Sequence, residues 1–227
     1  MVIHGAPKSG KSTLASQAPK PLFLATEPGL AFLPVYETPI ASWADLLDAL
    51  AAIARNDHDF ESLVVDTIDL AYHMCSEAVC AQHEIKHPAD LKYGKGFALV
   101  NNEFRRVLTK MTRMVNRHEK PLNCIFISHT KHIEMGSGEA TNVKAVPTLP
   151  TSCREVVCSM SDFIFYMDLI EKSDGTADRV IRTKGSKHWE AGDRTGKLPH
   201  IIPQHWEAFA SLLVDPQPAK KGKKKDE

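Results

Sequence analysis

Short apolar runs alternate with segments of helical period along most of this chain. The runs at 1–4, 21–26, 62–66 and 122–128 are too short for helices and are rich in Val, Ile, Leu and Phe. That is the composition of strands buried on both faces of a parallel sheet. Between them the apolar positions step by three and four. Ser42 is placed to cap a helix over 42–56, with Leu46, Leu47, Leu50 and Ile53 on one face. A second helix is predicted over 66–83. A third, over 97–118, aligns Phe97, Val100, Phe104, Val107, Leu108, Met111 and Met114, leaving Arg105, Arg106, Lys110, Arg113 and Arg117 mostly off the stripe. Strands alternating with helices predict an α/β fold, its mostly parallel central sheet flanked by helices.

Past residue 128 the pattern changes. Residues 130–150 read as a long, mobile loop holding at most a short hairpin, and 151–160 as a short helix. The segments 162–171 and 179–184 flank Ser173-Asp174-Gly175-Thr176, a β-hairpin signal placed near the sheet's far edge. A closing helix is predicted over 203–214. The expected organisation is one domain over 1–214 and a disordered, lysine-rich tail over 215–227.

Charge adds a second layer. Lys+Arg and Asp+Glu both number 28, yet residues 1–85 carry 4 basic and 11 acidic side chains, and residues 86–131 carry 10 and 3. Residues 179–197 are again basic. A protein that coats nucleic acid with a wholly basic surface is excluded, while a basic face on a neutral body is not. No run approaches the ~20 apolar residues of a membrane span, and no signal-peptide pattern opens the chain. Cys75, Cys80, Cys124, Cys153 and Cys158 contain no CxxC, so reduced thiols in a cytoplasm are expected rather than disulfides or zinc. The histidines form no HxxxH or HExxH pattern, and most are expected on the surface or in loops.

The chemistry concentrates at the N-terminus. Gly5-Ala6-Pro7-Lys8-Ser9-Gly10-Lys11-Ser12 matches GxxxxGK[ST] in full, between an apolar strand and a helical segment beginning at Thr13. In that context the glycines let backbone N–H groups turn toward phosphate oxygens, Lys11 reaches the β- and γ-phosphates, and the Ser12 hydroxyl ligates Mg²⁺. Asp66 ends the run Ser62-Leu63-Val64-Val65, the place for a carboxylate that holds Mg²⁺ through water; a helix N-cap is the other role open to it. Thr67 follows, not Glu, so a base for water has to come from elsewhere. Glu27, directly after the second strand, is the candidate base, the alternative being a solvated acid before the Pro28-Gly29 turn.

The pieces GAPKSGKST, PKPLFLATEPGL, SLVVDTIDLAY, LNCIFISHTK and AGDRTGKLP, in this order over residues 1–213, resemble the RecA-like ATPases. More closely they resemble the small phage-encoded members, RecA-core proteins associated with single-strand annealing and recombination. The resemblance implies a RecA-like P-loop NTPase core with a C-terminal β-hairpin, using ATP and Mg²⁺. It implies single-stranded DNA as partner, and a homo-oligomeric ring or filament with ATP between protomers, acting in a phage or bacterial host cytoplasm. His129 would sense the γ-phosphate. The loop 130–150, with Lys131 at its start, would be one DNA-contacting loop and 87–96 the other. In the latter, Lys92, Tyr93 and Lys95 combine cations with a stacking ring, a composition that a plain solvated loop also has. Arg194 would be the arginine inserted into the neighbouring subunit's ATP site; the lysine that related sequences carry two positions earlier is Gly192 here. Without a second domain, complete strand exchange is not expected. Two other readings are an ATP-gated DNA- or protein-binding module or loader with negligible turnover, and a small-molecule kinase. The kinase would need an arginine-rich lid that is not evident.

Overall fold

The apolar runs pair side by side. In the computed structural model, which describes residues 1–55, 58–115, 121–136 and 142–214, the chain forms β1 (Val2–Gly5), α1 (Lys11–Ala15), β2 (Pro21–Ala25), β3 (Tyr36–Pro39), α2 (Trp43–Arg55), β4 (Ser62–Asp66), α3 (Ile68–Gln82) and α4 (Lys95–Val115). It continues as β5 (Asn123–Met135), β6 (Asn142–Pro147), α5 (Thr151–Met160), β7 (Phe163–Glu171), β8 (Ala177–Arg182), β9 (Gly192–Asp193), β10 (Ile201–Pro203) and α6 (Trp206–Ser211). The strands β7-β1-β5-β4-β2-β3 are parallel neighbours, and β8 and β10 extend the sheet antiparallel beyond β7. This is the α/β fold with a mostly parallel, helix-flanked sheet that the sequence predicts.

Strand alternation sends side chains to two cores. Val2, Leu24, Val65 and Phe126 face α2, α3, α4 and α5, while Ile3, Phe23, Val64, Ile125 and Phe165 face α1 and α6. The helical steps decide which residues reach them. Trp43, Leu46, Leu50 and Ile53 are the buried face of α2, and Ser42 accepts the Asp45 N–H at its start. On α4 the predicted stripe is buried from Val100 to Met114, with Phe104 edge-on to Tyr72 at 5.2 Å. Burying each such side chain contributes about 1.5–3 kcal/mol. Phe97, in the first turn, stays largely exposed against His87. Among the described residues, no helix is long and apolar enough to cross a membrane.

Two expectations are corrected. Residues 130–150 are not a long loop: β5 runs on past the sheet and pairs antiparallel with β6, Thr130 opposite Pro147 through Met135 opposite Asn142. This arm is anchored because β6 also bonds the 186–190 segment, Ala145 N–H to His188 O and Glu190 N–H to Ala145 O, both at 2.8 Å. The hairpin of β7 and β8 forms near the sheet's edge as expected, with only the short β10 beyond it. Ile164–Met167 lie parallel against β1, which puts β7 next to the phosphate-loop strand. The closing helix is shorter than predicted, since Ile201–Pro203 add an edge strand first, where a proline costs no ladder bond. Residue 56, the predicted end of the third helix (116–118, including Arg117), residues 137–141 of the predicted loop and the predicted tail (215–227) lie outside the described residues.

Candidate functional site

Sheet register assembles the site. Gly5, the end of β1, is level with His129 of β5, while Ala25, Asp66 and Ile127 form one row across β2, β4 and β5. The carboxyl ends of these strands therefore open into one crevice. β1 sends its connection over β5 and β4 to β2, while β5 returns through α5 to β7 on the other side, so the crevice lies at the topological switch point.

The Gly5–Ser12 loop turns through Lys8 and Gly10, both at positive φ, 62° and 93°. A side chain at Gly10 would be strained by its left-handed backbone, and a Cβ at Gly5 would come within 2.7 Å of the Met167 Cβ. Lys11 is 6 % exposed and its ammonium donates to Ala6 O at 2.9 Å and Gly5 O at 3.2 Å, which holds it inside the loop's mouth. Burial pulls its pKa below the ordinary lysine value, opposed by Asp66, Glu27 and Asp69.

Ser12 Oγ donates to Asp66 Oδ2 at 2.6 Å. Asp66 is buried, and loss of hydration raises its carboxyl above the ordinary range while the Ser12 bond lowers it. The helix N-cap is not Asp66 but Thr67, whose hydroxyl accepts the Leu70 N–H. The Asp66–Thr67 peptide is cis. Thr26 clamps this turn to β2, accepting the Thr67 N–H at 2.7 Å and donating to Thr67 O at 3.1 Å. Glu27 is thereby delivered to the crevice, its Oε1 3.5 Å from His129 Nε2.

Three residues of the site escaped the sequence reading. Asp69, in the first turn of α3, accepts Ser128 Oγ–H at 2.7 Å and the His129 N–H at 2.6 Å, fixing the end of β5 against α3. Burial raises its carboxyl too. Thr26 is the second. The third is His4, fully buried in β1, with Nε2 2.7 Å from Glu190 O and Nδ1 2.9 Å from Thr130 Oγ1. Burial lowers its pKa to about 4, so the ring is neutral at pH 7, donating from Nε2 to the carbonyl and accepting the threonine hydroxyl at Nδ1. It ties the strand before the phosphate loop to the β5–β6 arm.

Other predicted residues lie outside the crevice. Arg194 bonds Asp162 Oδ1 at 2.6 Å and Ser159 O at 2.7 Å. Asp162 is five residues before Met167, the partner of Gly5, so Arg194 sits about 16 Å toward the opposite end of the sheet. It does not reach its own phosphate loop. Near the vacant lysine position at Gly192, Lys184 pairs with Asp193 at 3.0 Å. Lys92 and Tyr93 fall in a 3-10 turn and Lys95 opens α4; all three are exposed, Tyr93 at 95 %. Lys131 is tied down, donating to Leu149 O at 3.0 Å.

A family model described as AAA domain matches residues 1–195. A curated relative, the SPbeta prophage-derived uncharacterized protein YorG of Bacillus subtilis (strain 168), is 24% identical over 172 residues, 74% of this chain. The chain spans about half the length of that relative, 50%. Among solved structures, the flagellar accessory protein FlaH of Methanocaldococcus jannaschii aligns at a TM-score of 0.44 and 10% identity, covering 88% of this chain and 82% of its own. A KaiC-like protein of Pyrococcus horikoshii OT3 aligns at 0.38 and 14%, covering 80% and 76%.

Proposed function

The chain belongs to the AAA domain family, and on that premise we propose that it is a Mg²⁺-dependent ATPase acting on single-stranded DNA in phage annealing, recombination or repair. The observation that carries the reading is the 2.6 Å bond between Ser12 and Asp66 at the mouth of a complete phosphate loop. A hydroxyl and a carboxylate oxygen suit Mg²⁺, which keeps several waters and takes its remaining ligands from substrate phosphates rather than from a protein cage. When bound, the ion neutralises charge developing on the β- and γ-phosphoryl oxygens. Lys11 and the loop N–H groups hold the phosphates. Glu27 orients the attacking water and accepts its proton, and His129, held by Asp69, reports on the γ-phosphate end of the site.

DNA binding draws on the exposed Lys92, Tyr93 and Lys95, and on the β5–β6 arm leaving the phosphate end of the sheet. The prophage origin of the relative supports a phage setting. One observation favours the second reading, an ATP-gated module with little turnover: each protomer's finger candidate, Arg194, is engaged by its own Asp162. Phosphate release with and without single-stranded oligonucleotide and Mg²⁺ separates the two. Mg²⁺-dependent turnover that rises with DNA supports the ATPase; ATP-dependent DNA binding without turnover supports the module. No DNA binding at any salt concentration refutes the DNA partner.

A further inference from the structure

Two side chains from the far end of the chain reach the phosphate loop. Gln204, just past β10, donates Nε2–H to Gly10 O at 3.1 Å. Arg179 of β8 brings Nη1 to 3.4 Å from the point a Cβ on Gly10 would occupy. Strand geometry explains the approach. Arg179 shares a face of β8 with Ile181, which packs in the core beside Leu14 and Ala15 of α1, so its side chain leaves the sheet on the α1 side. Its backbone is opposite Leu169, two residues beyond the partner of Gly5, and therefore level with the loop.

The surroundings of Arg179 differ from those of its neighbour. Arg182, on the other face, pairs with Asp168 at 2.6 Å and lies over Trp189 at 4.1 Å. Arg179 is exposed, and among the described residues its guanidinium has no carboxylate partner. A planar, permanently charged fork beside the left-handed glycine of a phosphate loop is suited to non-bridging phosphate oxygens. We infer that Arg179 is a phosphate-binding residue of the nucleotide site, supplied by the same protomer, and that Gln204 is the latch that holds this C-terminal wall against the loop. The inference rests on the reading of Gly5–Ser12 as a nucleoside triphosphate site. It is distinct from the role proposed for Arg194, which lies at the other end of the sheet and acts on a neighbour.

The test is equilibrium binding of a fluorescent ATP analogue with Mg²⁺ to the full chain and to Arg179→Ala, Arg179→Lys, Gln204→Ala and Lys11→Ala. Thermal melting of each variant reports its folding. Arg179→Ala is expected to bind about tenfold more weakly with an unchanged melt, Arg179→Lys to recover part of the loss, and Gln204→Ala to weaken binding by less. Wild-type affinity in Arg179→Ala, with binding lost in Lys11→Ala, overturns the inference and leaves the nucleotide site standing. Absence of binding by the wild-type chain overturns the site itself and the inference with it.

Discussion

Asp66 carries its charge against the grain of its surroundings. It is 5 % exposed, burial is the largest influence on its carboxyl, and the direction is upward. A carboxyl whose folded-state pKa exceeds its unfolded value favours folding only while protonated. That advantage is complete below the ordinary value of 3.8 and is lost as pH rises through the higher folded value. Once ionised, the carboxylate is an unfavourable charge in the ligand-free protein, which Mg²⁺ would offset. Asp66→Asn keeps an acceptor for Ser12 and removes the charge. It is expected to raise the melting temperature above the wild type's on the high-pH side of the carboxylate transition, and to abolish Mg²⁺-dependent hydrolysis. The gain should vanish in acid below the carboxylate range; a gain independent of pH would contradict the linkage. The residues read from sequence at this scale were those whose chemistry is written in fixed spacing, Lys11 and Ser12 above all. Asp69 looked like any acid in a first helical turn, and Arg179 and Gln204 are separated from Gly10 by most of the chain.

At the scale of elements, legibility followed burial. The doubly covered strands β1, β2, β4 and the inner half of β5 announce themselves as unbroken apolar runs. Edge pieces do not: β3, Tyr-Glu-Thr-Pro, is mostly exposed and has no apolar pattern to read. The outer half of β5 opens with five polar residues, Ser128 to His132, so only its pairing with β6 distinguishes the arm from a loop. The 87–96 segment resolved into two short 3-10 turns ahead of α4, with Tyr93 at φ 60° and its ring in solvent. If that ring stacks on a base, Tyr93→Ala is expected to lower single-stranded DNA affinity by about 1–3 kcal/mol. Stability should stay within about 0.5 kcal/mol, because the side chain buries nothing. An electrophoretic titration beside a thermal melt reads both, and unchanged affinity removes Tyr93 from the DNA surface.

At the scale of the molecule, the zero net charge separates into regions with different surroundings. Three acids of the first 85 residues, Glu27, Asp66 and Asp69, converge near Lys11, whereas the basic face of α4 stays in solvent. Arg194 lies at the end of the sheet away from its own phosphate loop, so a finger role requires a second copy. Mixing Arg194→Ala with Glu27→Ala, each inactive alone, should then restore a fraction of the hydrolysis, because some interfaces combine an intact base with an intact arginine. No recovery from mixtures shown to co-assemble would exclude the shared site. The central claim, hydrolysis at the Gly5–Ser12 loop, meets its most direct test in steady-state phosphate release by the full chain and by Lys11→Ala, with Mg²⁺ present and folding verified. The account predicts turnover in the wild type and at least a hundredfold loss in the variant, about 2.7 kcal/mol or more of transition-state stabilisation; equal turnover in the two proteins would contradict it.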